Sequence, residues 1–245
     1  GGTEEVVQST KKAIEKKGLV TGISSGSKLV DTLSAGALPY YKFDPINNPS
    51  GQPRLGLGYM IFGVALILSK LGYIALDSSE VNQAVTKVKE SNNVIKEKAG
   101  NFIEKIADDI AVFVSAEHLS GTSHIVRNQM NETAKAYADY HLIPELNHHL
   151  LEGLSYPKNK SLGFIFYDSS FYFNRNSRRI TLTKQIVKKQ NIKVLAVSFE
   201  AESKIEEFLK FLQFGSYLSF LLAKSRNLDP SVVPWVDYFK EQLAH

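Results

Sequence analysis

The residues of this sequence best suited to proton chemistry fall in one stretch, NQMNETAKAYADYHLIPELNHHLLEGL (128–154). It carries Glu132 near its start and the cluster Asn147, His148, His149 near its end. A carboxylate can take a proton from one atom and return it to the next, and an imidazole titrates near neutrality, so the two residue types suit acid–base catalysis. Read as a largely helical stretch, 128–154 gathers chemistry at its two ends where a helix packed only for stability would leave charges to solvent. The bland readings stand beside this one: Glu132 as a surface charge, and Asn147-His148-His149 as a helix cap with two exposed imidazoles. At the start of the chain, Gly1-Gly2-Thr3 precedes a helix-favouring run. Free backbone N–H groups plus a hydroxyl make a natural cradle for phosphate, with Thr3 as a plain N-cap the alternative.

The elements that must position these groups alternate between helix and strand. TEEVVQSTKKAIEKK predicts a helix over 3–17, with acids in its first turn and lysines in its last, as the helix dipole favours. LVTGI (19–23) reads as a buried strand, SSGS (24–27) as a turn into a helix, and 46–57 as an Asn-, Pro- and Gly-rich loop leading to an apolar helix over 58–71. The charged stretch 79–109 reads as a helical connection between two units. Beyond it come a strand over 110–116, a helix around 119–138, a loop and helix carrying the His cluster, a strand at 161–168, a helix at 180–190, a strand at 192–199 and helices over 202–224 and 231–244. Continuous apolar strands alternating with helices imply parallel sheets covered on both faces, so the expected class is α/β twice over. The first unit has no strand before its first helix where a parallel sheet would place one, and an incomplete N-terminus is expected.

Composition narrows the function classes. The 245 residues carry 29 basic against 25 acidic side chains, a net +4 spread along the chain. The lysine and arginine pairs fall on expected helix faces without aromatic interleaving, which disfavours nucleic acid. Without cysteine there is no disulfide, thiolate nucleophile or Cys-bound zinc. The most apolar runs, 59–68 and 211–223, are shorter than the roughly 20 residues that span a bilayer, and Lys70 and Lys224 flank them, so no membrane segment is expected. No charged-then-apolar leader opens the chain, and a cytoplasmic location is expected.

Five segments together resemble a known family. GGTEE (1–5) is similar to the phosphate loop of sugar isomerase (SIS) domains. QPRLGLGY (52–59), NQMNETAK (128–135), PELNHHLLEG (144–153) and GSYLSFLLAKSRNLDPSVVPWVDYFKEQL (215–243) follow in the order seen in bifunctional phosphoglucose/phosphomannose isomerases. The resemblance implies two SIS domains: a partial, phosphate-binding one at 1–78, and a second at 110–245 beyond the connection. It implies interconversion of glucose 6-phosphate or mannose 6-phosphate with fructose 6-phosphate, without metal, nucleotide or other cofactor. It further implies a homodimer in which each site takes a histidine from the neighbouring subunit. By resemblance Glu132 is the base, Arg54 the charge stabiliser, His148 the ring-opening residue with Lys240 as its helper, and Thr3 with Gly2 the phosphate ligands. That chemistry is coherent: an enediolate needs a carboxylate to move the proton and a fixed cation near its oxygen. Adjacent His148 and His149 point in different directions on a regular element, which disfavours a metal pair. Three departures from the family pattern stand out: SAEHLSG (115–121) in place of a Gly-Ser-Gly turn, which predicts no phosphate site in the second domain; His149-Leu150 where Asn-Glu is usual; and Gly2 where Asn is usual. A non-catalytic module that binds a phosphosugar and reports on it is the rival reading.

Overall fold

The computed structural model describes residues 1–243. The chain forms two compact units, Gly1–Asp77 and Ser78 onward. The first contains α1 (Glu4–Glu15), β1 (Gly22–Ser24), α2 (Ser27–Ala35), β2 (Tyr40–Lys42), a 3-10 turn at Pro53–Leu55, and α3 (Leu57–Lys70). β1 and β2 pair in parallel, Gly22 opposite Tyr40 and Ser24 opposite Lys42, with α2 as their crossover. Leu29 and Leu33 of α2 are buried against Gly22, where any side chain would collide with the Leu33 methyl.

The second unit contains α4 (Ser78–Glu90), α5 (Asn92–Ile106), β3 (Ile110–Ala116), α6 (Ser120–Glu132), β4 (Ala138–Ile143), α7 (Leu146–Gly153), β5 (Leu162–Asp168), α8 (Asn174–Lys189), β6 (Lys193–Ser198), α9 (Lys204–Ser225) and α10 (Pro234–Leu243). Its four strands are all parallel in the order β4-β3-β5-β6. β3 and β5 are the central pair and bury nearly every residue, which is why their sequences read as continuous apolar runs. The fold class is α/β, parallel sheets flanked by helices, as the sequence implies.

Two segments differ from the sequence reading. The stretch 79–109 is not a bare connection: α4 and α5 belong to the second unit. Ile95, Ala99, Phe102 and Ile106 recur at helical spacing and are buried, and the Phe102 ring meets Phe214 of α9 edge-on at 5.3 Å. Asn92 Oδ1 accepts from both Tyr217 Oη (2.7 Å) and Gln213 Nε2 (2.9 Å), fixing the start of α5 on α9. The second difference is that 128–154 is not one helical stretch. α6 ends at Glu132, and ADYHLI becomes β4 before α7 begins. Asp139 and His141 interrupt the apolar pattern, although Tyr140 and Ile143 suit a strand; pairing with β3 decides the conformation.

The α6–α9 contact depends on a close approach at Gly215. A Cβ there would lie 2.8 Å from Val126 Cγ1 and 2.9 Å from its Cβ, and closer still to Cγ2. Val126 is itself fully buried and β-branched, so it has little freedom to move aside. Gly215→Ala is therefore expected to destabilise the second unit by about 1–3 kcal/mol through overpacking. Adding Val126→Ala should recover part of that loss in denaturant titrations, whereas additive losses would show that Val126 is not the obstacle.

Candidate functional site

In the first unit the chain start is packed beside the loop that follows β1. The Leu29 N–H of α2 donates to the Gly1 carbonyl oxygen at 3.0 Å, and a side chain at Gly1 would run into Ser24 Oγ. Ser24 Oγ bridges within its own turn, donating to Gly26 O (2.7 Å) and accepting from Gly26 N–H (3.2 Å). Gly2 and Thr3 are exposed; Thr3 is the N-cap of α1 in extended conformation, and its side chain makes no cap hydrogen bond. The N-termini of α1 and α2 thus lie together, each with backbone N–H groups that an anion could use.

Arg54 sits in the Pro53–Leu55 turn and is only 7% exposed, unusual for an arginine in a loop. Its Nη1 donates to Gln52 Oε1 at 2.8 Å. The loop is built rather than slack: Asn48 Nδ2 donates to Gln52 O (2.8 Å), Ser50 Oγ to Asn48 Oδ1 (2.7 Å), and the Phe43 and Tyr59 rings stack at 4.7 Å. A cavity of about 250 Å³ joins the two regions, lined by Gly1, Ser24 and Ser25 on one side and Asn48, Pro53 and Gly56 on the other.

Within the second unit the sequence-selected residues separate. Glu132 is the last residue of α6, half-buried, and the adjacent Asn131 Nδ2 donates to the carbonyl of Ala138 at the start of β4 (3.2 Å). His148 lies in the first turn of α7, after the end of β4, and is exposed, as is His149. Glu132 and His148 therefore flank opposite ends of β4, roughly 15–20 Å apart for six residues at about 3.3 Å each. Asn147 Nδ2 holds α7 in place by donating to the buried Thr183 Oγ1 of α8 at 2.7 Å. Lys240 lies on the exposed helix α10, which follows α9.

Sequence reasoning passed over the crevice between the loops after β3 and β5. These two strands are neighbours whose crossovers lead in opposite directions, the position where open parallel sheets bind ligands. Here the protein's own side chains fill it. Glu207 of α9 is fully buried; its Oε2 accepts from Ser169 Oγ (2.6 Å) and meets His118 Nε2 at 2.7 Å. Tyr172 Oη accepts the Ala116 N–H at 3.1 Å, and burial raises the phenol above its ordinary range. The signal was present as Glu117-His118 directly after an apolar strand, but its partner lies 89 residues away. Among the described residues no group of three or more His, Asp or Glu side chains is placed to hold a metal ion, and no helix is long and apolar enough to cross a membrane.

The family model for the bacterial phospho-glucose isomerase C-terminal SIS domain matches residues 95–243. The chain belongs to that family. It is 26% identical over 246 residues to the bifunctional phosphoglucose/phosphomannose isomerase of Aquifex aeolicus, covering 99% of this chain and 73% of the relative. It is 27% identical to the protein of the same name from Thermoplasma volcanium, covering 100% and 75%. Among solved structures, tagatose-6-phosphate ketose/aldose isomerase from Escherichia coli superposes with a TM-score of 0.71 at 10% identity, covering 95% of this chain and 68% of that one. Glucosamine-6-phosphate deaminase from Thermotoga maritima superposes at 0.69 with 15% identity, covering 94% and 69%. At such identities the structural likeness concerns the fold, and the fold is that of SIS-domain proteins.

In this SIS unit, the His141 ring of β4 lies 6.0 Å from His149 of α7 and its Nε2 is 3.7 Å from Asp139 Oδ2. Burial holds the His141 imidazole below its ordinary 6.5; the Asp139 carboxylate opposes that shift and His149 adds to it. A histidine with a lowered folded pKa takes its proton more readily in the unfolded chain, so stability is lost as pH falls below about 6.5 toward the folded value. The urea midpoint is expected to drop between about pH 7 and about pH 5.5, and His141→Gln to flatten that slope. An unchanged slope in the variant would exclude His141 as its source.

Proposed function

We propose that the chain is an aldose–ketose isomerase that interconverts glucose 6-phosphate or mannose 6-phosphate with fructose 6-phosphate. The observation that carries this reading is coverage: relatives named for that activity align with 99–100% of the chain, across both of its units. In the proposed reaction Glu132 removes the proton from C2 of the opened aldose and returns it to C1. The enediolate between the two steps places negative charge on oxygen, which the guanidinium of Arg54 stabilises. A cation held by its own loop needs no reorganisation as that charge develops, and the burial of Arg54 together with its bond to Gln52 supports this role. Gly2 and Thr3 offer backbone N–H groups and a hydroxyl to the 6-phosphate, and Lys240 holds ring oxygens.

Ring opening requires a second acid–base group, assigned to His148. Proton transfer needs each group within about 2.6–3.2 Å of its atom, and the reacting oxygens and carbons of one hexose lie within a few bonds of each other. Glu132 and His148 of one chain flank opposite ends of β4. A single copy therefore cannot supply both to one sugar, and we infer a homodimer in which each site pairs Glu132 with the partner subunit's His148.

Glu132→Gln in the full-length protein is expected to bind fructose 6-phosphate almost normally while losing turnover by ~10² or more. Near-normal turnover would move the base elsewhere, and binding without turnover in the wild type would favour a phosphosugar sensor. His148→Ala should be similarly impaired on ring-closed substrate. Co-refolding the two inactive variants is expected to restore about a quarter of wild-type activity, because each mixed dimer contains one intact site. No restoration would show that Glu132 and His148 act from the same subunit.

A further inference from the structure

Lys135 lies three residues beyond Glu132, in a left-handed conformation (φ 51) that glycine would adopt with less strain. It ends α6 as a C-terminal cap: the Ala136 N–H reaches back to Met130 O at 3.1 Å, and the Ala134 N–H reaches Gln129 O at 3.4 Å. A glycine would make the same turn, so the lysine side chain must contribute something further. Its ammonium donates to the carbonyls of Glu132 (2.9 Å) and Thr133 (3.3 Å), the last of α6, and also to the carbonyl of Asp229 at 2.8 Å.

Asp229 lies 94 residues downstream of Lys135, in the strap that leads from α9 to α10. Its carboxylate accepts from the Ser231 N–H (2.8 Å) and Ser231 Oγ (2.5 Å), which shapes the turn into Pro234 and α10. At the other end of the strap, the Leu228 N–H donates to Ala223 O at 2.9 Å, anchoring it to α9. A single ammonium therefore fastens the backbone that carries Glu132 to the strap that launches the helix carrying Lys240. α10 itself buries no residue within its unit, so its placement depends on that strap.

We propose that Lys135 is a positioning residue whose ammonium, by bridging the α6 terminus and the Asp229 strap, holds the Glu132 carboxylate and the Lys240 helix in one fixed relation. This rests on the isomerase reading for its catalytic consequence, but the tie is a property of the second unit alone. Misplacing a positioned group lowers the rate of the chemical step more than it weakens substrate binding.

Lys135→Gly tests this well, because it relieves the left-handed backbone while deleting the tie. Lys135→Arg retains a cation able to reach the same carbonyls, and Lys135→Met keeps the stem without the charge. In the full-length protein, Lys135→Gly and Lys135→Met are expected to keep the wild-type melting temperature or exceed it in the glycine variant, yet lose kcat roughly tenfold with KM within about twofold. Lys135→Arg should recover most of the loss. Independently of activity, Trp235, the chain's single tryptophan, lies at the start of α10 and is 82% exposed. Its fluorescence anisotropy should fall in the glycine and methionine variants as the strap is released, and hold in the arginine variant. Wild-type kcat and anisotropy in Lys135→Gly, or a loss of kcat that only follows a lowered melting temperature, would overturn the proposal. Absence of turnover in the wild-type protein would count against the isomerase reading, while the anisotropy comparison would still decide the tie.

Discussion

The arrangement of the second unit follows from one constraint: its four strands all run in the same direction. A parallel strand can be followed by another only if the intervening helix carries the chain back across the sheet. Helix N-termini therefore collect at one edge, beside the strand C-termini, and helix C-termini collect at the other. α6 must deliver Glu132 to the edge where β4 begins, and β4 must deliver α7 with His148 to the edge where it ends. α9, with 22 residues and a length of roughly 33 Å, crosses back in the same sense and leaves the strap and α10 on the side of Glu132. No side-chain adjustment could change this distribution, because the backbone topology sets it.

The same constraint creates the crevice between β3 and β5, and the protein closes it with charge of its own. Burying Glu207 completely is costly unless its oxygens are bonded, and Ser169 and His118 both converge on Oε2. Glu207 Oε1 and His118 Nδ1 remain without a hydrogen-bond partner among the protein groups. The two bonds to Oε2 tie the loops after β3 and β5 to α9. The loop SAEHLSG is thus committed, through His118, to an internal carboxylate.

The first unit is organised differently. Its sheet has two strands, and much of its order comes from short-range bonds in loops: Asn48 with Gln52, Ser50 with Asn48, and Ser24 across its own turn. These bonds take polar side chains that would read as solvent-facing loop residues and turn them into a frame for the buried guanidinium of Arg54. The cavity between that frame and the start of α1 has Ser24, Ser25 and Asn48 among a lining that also includes Ile23, Phe43 and Met60.

The sequence by itself determined the elements whose information is local. The apolar runs of β3 and β5, the dipole-matched charges of α1 and the helical spacing of α9 each announce their conformation without neighbours, and the ordered motifs from GGTEE to the C-terminal helix carried the family. Tertiary structure alone decided what depends on long-range pairing. ADYHLI became β4 because β3 offers it a ladder of hydrogen bonds, although Asp139 and His141 break its apolar run. The stretch 79–109 became part of the second core because α9 presents a face for Phe102 and Asn92. Glu207 met His118 across 89 residues, and Lys135 met Asp229 across 94. Sequence spacing encodes neighbours along a helix or strand; the distance between Glu132 and His148, 16 residues apart in the chain but at opposite ends of β4, is fixed only when the sheet forms and the chain must cross it.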